Sequence, residues 1–186
     1  MTILHIDSSI QGENSVSRKL TAAIVAALTA QGNEPVIYHD LSTEAPETTG
    51  AYVDQFLTSD TIVVGAPMYN LSIPSRLKSW IDAIVVPGKT FCYVSDGRPQ
   101  GLAGGRRVVA AYASGGFHHG PEADFVEPYL RAVFRMLGIT EVDVVRAEGV
   151  DISADHRAWA LAQAEQTITE IAMNIVEERR QGTYQA

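Results

Sequence analysis

Along this chain, short β-branched runs alternate with longer stretches whose apolar residues recur every third or fourth position. Five runs read as buried strands: Ile3 to Ile6, Pro35 to Tyr38, Thr61 to Gly65, Arg107 to Tyr112 and Val142 to Arg146. They are continuous rather than strictly alternating, the pattern of strands covered on both faces. Between them, Leu20, Ile24 and Leu28 form one helical stripe, and Leu77, Trp80, Ile81 and Ile84 a second. Tyr129, Val133 and Leu137 form a third, beginning near Pro128, which a first helical turn tolerates. Leu161, Ala164, Ile168, Ile171 and Ile175 line a long final helix. A weaker helix covers Tyr52 to Thr58. Strand–helix alternation predicts right-handed crossovers and one parallel sheet with helices on both faces, an α/β three-layer sandwich. For five such strands the expected order is 2-1-3-4-5.

The segment from Pro87 to Gly105 breaks the alternation. Within it, Thr90-Phe91-Cys92-Tyr93-Val94 and Ser95-Asp96-Gly97 read as one arm and the turn of a hairpin. No repeat, low-complexity tract or long linker divides the chain, so residues 1–186 read as a single domain. The tail Gly182 to Ala186 is expected to fray.

Composition narrows the function classes. A net charge of −8 argues against nucleic acid or an anionic membrane surface as the main partner. It does not exclude an anionic cofactor, which a local nest of N–H groups can hold. The lone cysteine, Cys92, cannot form an internal disulfide, and a reducing cytoplasm is its simplest setting. The opening Met1-Thr2-Ile3-Leu4-His5 reads as a strand rather than a signal peptide. No apolar run approaches the ~20 residues that cross a bilayer.

The candidate chemistry lies in the loops after strands, at the edge where open α/β sheets bind ligands. After the first strand come Asp7, Ser8, Ser9 and, further on, Asn14-Ser15-Val16-Ser17-Arg18, leading into the first helix. A helix N-terminus with hydroxyls suits a phosphate. Asn14 or Ser15 alone equally reads as a helix cap. Arg18 either adds charge there or points to solvent. Neither GxGxxG nor GxxxxGK[ST] is present, so a Rossmann fingerprint and a P-loop are unsupported.

The third strand stops at Gly65-Ala66-Pro67 and is followed by Met68-Tyr69-Asn70-Leu71. Asn70 carries a donor and an acceptor, matching the mixed edge of a flavin pyrimidine, and Met68 and Leu71 offer apolar cover. The plain alternative is a βα loop in which Tyr69 packs and Asn70 turns the chain. The fourth strand ends in Ala113-Ser114-Gly115-Gly116-Phe117-His118-His119. Paired glycines let backbone approach a ligand or simply make a turn. The two histidines lack a third ligand at a sensible spacing, so no metal site is expected. One of them can instead place a proton donor where charge collects on a reduced flavin.

Serines after the first strand, Pro-Met-Tyr-Asn after the third and Gly-Gly-x-His after the fourth resemble the FMN-dependent NADH-azoreductases, flavodoxin-like enzymes that also reduce quinones. The likeness runs from Ile3 to about Gly149 and includes Glu127-Pro128-Tyr129-Leu130 and Ala147-Glu148-Gly149. It implies a flavodoxin-like fold and FMN as cofactor, with NADH or NADPH as co-substrate and a ping-pong cycle on quinones or azo compounds. It implies that Ser9, Ser15, Val16 and Ser17 bind the FMN phosphate. Met68, Tyr69, Asn70, Leu71, Ala113, Ser114, Gly115, Gly116 and Phe117 would hold the isoalloxazine. By the same likeness His118 and Asn70 act at the reacting ring, and Tyr93 borders a partner subunit's site in a homodimer.

This sequence departs from that pattern at Val16, where a polar residue is common, and at Leu71, where an aromatic is. Ala113-Ser114 stands in place of a Ser-Arg pair, which removes a guanidinium. The segment between Leu41 and Ala51 is short, and that bears on substrate choice. The alternative function is a flavodoxin-like one-electron carrier without nicotinamide-dependent activity. A third reading is a flavodoxin-like regulatory protein without flavin.

Overall fold

The structure, a computed structural model, describes residues 1–181 apart from 31, 33, 119 and 121. The expected tail and His119 lie outside the described residues. In chain order the elements are β1 (Ile3–Asp7), α1 (Val16–Thr29), β2 (Val36–Asp40), α2 (Thr49–Thr58), β3 (Thr61–Pro67) and α3 (Ser75–Ile84). There follow β4 (Phe91–Tyr93), β5 (Pro99–Gly101), β6 (Arg107–Ala113), α4 (Val126–Met136), β7 (Glu141–Ala147) and α5 (Ala154–Arg180).

The main sheet runs β2-β1-β3-β6-β7, and every neighbouring pair is parallel. Leaving out the small β4–β5 pair, this is the expected order 2-1-3-4-5. The hairpin also forms where its turn residues place it, with Gly97 at φ 81 in the turn.

Two apolar layers fix the helices. Leu20, Ile24 and Leu28 of α1 and Ala164, Ile168 and Ile175 of α5 pack on Ile3, Val63, Val109 and Val145. On the opposite face, Phe56 of α2, Leu77, Trp80 and Ile81 of α3, and Leu130 and Phe134 of α4 pack on Leu4, Ile62, Val64 and Val108. β3 and β6 are buried at every position, as continuous apolar runs require.

Two expectations need correction. β2 is not covered on both faces: it is an edge strand, and Val36 and Tyr38 are exposed. The expected order already put this strand at the edge, and a β-branched run alone does not tell a covered strand from a partly exposed one. In α4 the buried stripe is Val126, Leu130 and Phe134, with Leu137 just beyond. Tyr129 and Val133 are half-buried on its flank. Both rows have helical spacing, and packing against the sheet decides which one is buried.

Candidate active site

The strand order reverses between β1 and β3, and parallel sheets leave a crevice at such a point, beyond the strands' carboxyl ends. A cavity of about 230 Å³ lies there. Ser15, Val16 and Ser17 line it from the start of α1, and Met68 and Tyr69 from the loop after β3. Ala113, Ser114 and Gly115 enter from the end of β6, Val150 and Asp151 from the β7–α5 connection, and Arg157 from the start of α5. A larger cavity, about 590 Å³, lies between α1 and α5, with Ala27, Ala30, Ala172 and Met173 on its walls. Size alone does not make it the site, because its walls come from the C-terminal halves of α1 and α5 and not from the loops beyond the strands' carboxyl ends.

The turn into α1 is built to present donors. Ser15 is the N-cap, and its Oγ accepts the Arg18 amide at 3.3 Å, a cap worth about 1 kcal/mol. Ser15 Oγ also lies 3.1 Å from Ser17 Oγ, and both side chains are buried. The amides of Val16 and Ser17 belong to the first turn, where an α-helix supplies no acceptor of its own. They edge the cavity beside the positive end of the helix dipole. The Ser15 cap therefore leaves the Val16 and Ser17 amides at the cavity edge without an intrahelical acceptor.

Ser9 sits lower. It is fully buried; its Oγ is 3.0 Å from the Tyr69 hydroxyl and accepts the Gln11 amide at 3.3 Å. The Ile10 amide donates to the same Tyr69 oxygen at 3.2 Å. Ser9 and Tyr69 thus stitch the first loop to the third across the crevice.

Arg18 neither reaches the cavity nor points to solvent. Its guanidinium donates to the Ser9 carbonyl at 2.8 Å, to Asp40 at 2.5 Å and to Ser42 at 2.8 Å. Burial pushes the Asp40 carboxyl up, but hydrogen bonds from Arg18, Ser42 and Thr43 together outweigh it and hold it at about 2. Burial and the nearby Asp7 and Asp40 charges push the Tyr38 hydroxyl up to about 12. This charge network anchors the first loop to β2.

After β3, the Met68 amide donates to the Ala113 carbonyl at 2.8 Å, which ties the ends of β3 and β6 together. Tyr69 and Ser72 then exchange backbone bonds of 2.8 and 3.1 Å around Asn70 and Leu71. Both central residues have positive φ, 51° and 68°. This pairing is the type I′ geometry, which Asn accepts readily and Leu does not. Holding Leu71 there costs roughly 1–2 kcal/mol. Strain of this kind persists where surrounding structure imposes it, and it concentrates at binding sites. Leu71 remains largely exposed and does not pack into the core.

At the end of β6, the loop is zipped to the one after β7. Ser114 accepts the Val150 amide, Gly115 accepts the Asp151 amide and Gly116 accepts the Gly149 amide, each at 3.1 Å. A Cβ on Gly115 would stand 2.5 Å from Asp151 Oδ2, so a side chain there must displace the Asp151 carboxylate. Phe117 is exposed, and its ring meets the edge of His156 at 5.0 Å. His118 folds back over the turn, with Nε2 3.7 Å from where a Gly116 Cβ would lie. Below, the Tyr112 hydroxyl lies 3.9 Å from Met68 Sδ, and the Arg146 guanidinium stacks 4.6 Å from the Tyr112 ring centroid.

Of the residues expected from sequence, Ser15, Val16, Ser17, Met68, Tyr69, Ala113, Ser114 and Gly115 meet at one cavity. Ser9 does not line it but bonds to Tyr69, which does, while Asn70, Leu71, Gly116, Phe117 and His118 follow the lining residues in the chain and are not among them. Sequence reasoning missed Val150, Asp151 and Arg157. The signal for them was positional: the loop after the fifth strand opens on the same sheet edge. Among the described residues no group of three or more His, Cys, Asp or Glu could hold a metal ion.

Comparison with known proteins decides the family. A family profile described as a flavodoxin-like fold matches residues 1–172. An FMN-dependent NADH:quinone oxidoreductase of Sinorhizobium fredii is 49% identical, covering 91% of this chain and 96% of that protein. The chain belongs to this flavodoxin-like family. A second family member, the FMN-dependent NADH:quinone oxidoreductase of Stenotrophomonas maltophilia, is 48% identical over 88% of this chain and 92% of its own length. Among solved structures, an azoreductase from Bacillus anthracis superposes with a TM-score of 0.84 at 26% identity, covering 92% of this chain and 98% of that one. The family fold therefore spans the sheet, both helical layers and the β4–β5 hairpin region of the present chain.

Proposed function

We propose that this chain is an FMN-dependent NADH oxidoreductase that passes reducing equivalents to quinones and aromatic azo compounds in two stages at one cleft. One observation carries the reading. Free amides at the α1 N-terminus, the buried hydroxyls of Ser15 and Ser17, the Met68-Tyr69 backbone and the Ala113-Ser114-Gly115 backbone line one cavity at the sheet's switch point. The names of its relatives support it.

The residues fit FMN end to end. Ser15, Val16 and Ser17 are placed to take the phosphate on two amides and two hydroxyls. Ala113, Ser114, Gly115 and Gly116 offer a flat stretch of backbone, with Phe117 beyond them at the rim. Tyr69 and Asn70 give polar atoms to the ring's mixed edge, while Met68 and Leu71 give it apolar cover. When bound, FMN supplies the two-electron chemistry between NADH and the acceptor. The protein's part is to hold planar partners against one another, exclude water and meet developing charge. His118 is the residue for that charge, since its Nε2 lies close to Gly116, the neighbour of the lining residue Gly115.

Mass spectrometry of the cofactor released from purified protein tests this reading. Stoichiometric FMN is expected; FAD would overturn it. Ser17→Ala removes a buried hydroxyl beside the two free amides. It should weaken FMN binding by roughly ten- to hundredfold, the worth of one hydrogen bond to a charged group. Flavin fluorescence quenching measures it.

We infer further that two copies pair through α4 and the β4–β5 hairpin, closing the open side of each site. The hairpin seats on the end of α4, where the Ala103 amide donates to the Leu137 carbonyl at 2.9 Å. Tyr129, Val133 and Met136 make a half-buried apolar row on α4, and Tyr93 on the hairpin is 66% exposed. Phe134, on the same helix, is wholly buried in the core and takes no part in that row. A self-complementary C₂ contact would cover the rest. Sedimentation at micromolar concentration should give a species of twice the 20.1 kDa chain mass. A single species of chain mass contradicts the shared site.

A further inference from the structure

The geometry points to Arg157 as the cationic ligand of the flavin phosphate, the residue that makes this site select FMN over unphosphorylated flavin. The inference rests on the proposed FMN reading and adds a residue to it. It begins with the charge around the phosphate end of the cavity. Arg157 is the one cation among the described residues that line it. Arg18, which stands next to Ser17 in sequence, is committed to the Ser9 carbonyl, Asp40 and Ser42 at 2.5 to 2.8 Å. Arg146, below the β6 loop, is likewise paired with Asp124 and Glu127.

Arg157 is not committed in this way. Its Nη2 donates to the Asn14 carbonyl at 3.3 Å and its Nη1 to the Val150 carbonyl at 3.5 Å. These are neutral acceptors at the outer limit of hydrogen bonding. The nearest carboxylate, Asp151, lies 3.8 Å away and is largely exposed. A guanidinium has five N–H donors in a planar fork, so most of this one's capacity is unspent.

Its place is also right. Asn14 directly precedes the Ser15 cap, so the fork lies beside the turn that carries the Val16 and Ser17 amides. It reaches that turn from α5, 143 residues away in sequence. Amides and hydroxyls alone would hold a phosphate dianion without a full counter-charge, in a chain whose net charge is −8. A guanidinium supplies that charge together with paired donors. The contribution falls on the phosphate group, so it separates FMN from riboflavin, which shares the ring and ribityl chain but lacks the phosphate.

The competing role is structural, a strut between the Asn14 and Val150 carbonyls. The two roles differ in what they discriminate. Dissociation constants for FMN and for riboflavin are measured by fluorescence quenching on the flavin-stripped full chain, for wild type, Arg157→Gln, Arg157→Lys and Ser17→Ala. Arg157→Gln is expected to weaken FMN roughly ten- to hundredfold and to leave riboflavin within about twofold. Arg157→Lys should recover a large part of the loss, and wild-type FMN affinity should fall more steeply with salt than that of Arg157→Gln. Equal losses for both flavins would make Arg157 a strut and overturn the proposal. So would an unchanged FMN constant in Arg157→Gln while Ser17→Ala is impaired, which leaves the FMN site standing. A wild-type chain that binds neither flavin would instead remove the underlying reading.

Discussion

Replacing His118 with alanine should slow reduction by NADH by roughly 10²–10³-fold while FMN affinity changes little. That magnitude is typical for removing one donor aimed at developing charge. The reasoning starts from the Gly115-Gly116 turn, which the Asp151 and Gly149 amides clamp from the neighbouring loop. The clamp fixes the backbone from which His118 folds back, with Nε2 close over Gly116. A donor held in this way costs little reorganisation when charge appears, so its loss falls on rate rather than binding. Single-turnover reduction of the FMN-loaded variant checks this. Unchanged reduction would make His118 a rim residue without a chemical task.

The second large effect concerns the hairpin. A Cβ on Gly101 would stand 2.0 Å from the Gly138 nitrogen and 2.2 Å from the Leu137 carbonyl carbon. Both are backbone atoms, and Gly138 has no room to retreat, since its own Cβ position meets Gly101 at 3.2 to 3.3 Å. Gly101→Ala must therefore lift the hairpin from the end of α4. We expect a loss of about 3 kcal/mol, the upper end for overpacking a tight contact. In a domain of this size that lowers Tm by roughly 6–12 °C. Gly50→Ala is the control. Gly50 lies within α2, where the added Cβ meets only Thr48 Oγ1 at 4.0 Å, so the change should stabilise by about 0.5–1 kcal/mol. Because the hairpin also borders the proposed dimer contact, Gly101→Ala should shift sedimentation towards the single chain. A Tm equal to that of the parent would contradict the close packing.

The sheet was legible because β3 and β6 are buried on both faces, so their sequences carry no polar interruption to hide the strand. The hairpin was legible from its Ser95-Asp96-Gly97 turn. The stripe on α4 was harder. Tyr129 and Val133 are as apolar as Leu130 and Phe134, and helical spacing alone does not say which row faces the sheet. β2 read as covered on both faces because Val36, Ile37 and Tyr38 favour strands whether or not they are buried. The positive φ at Leu71 left no trace in sequence, since leucine is a poor choice for that geometry and only the Tyr69–Ser72 pairing enforces it. At the site, the Ser15-Val16-Ser17 turn and the Met68-Tyr69-Asn70 loop were visible because local chemistry and local structure coincide there. Arg157 was invisible for the opposite reason: its meaning comes from Asn14, far away in sequence, and nothing in the first turn of α5 announces it. Arg18 shows the converse error, a basic residue next to the phosphate turn whose partners, Asp40 and Ser42, come from the edge of β2.

Anaerobic mixing of the protein as purified with NADH, and then with a quinone, tests the central claim most directly. The account predicts a yellow protein carrying FMN whose flavin absorbance bleaches in a single two-electron stage with NADH. It then predicts full return of that absorbance on adding the quinone, with one NADH consumed per quinone reduced. A flavin that NADH leaves oxidised, and that dithionite takes into a long-lived one-electron form, would contradict it and identify an electron carrier instead.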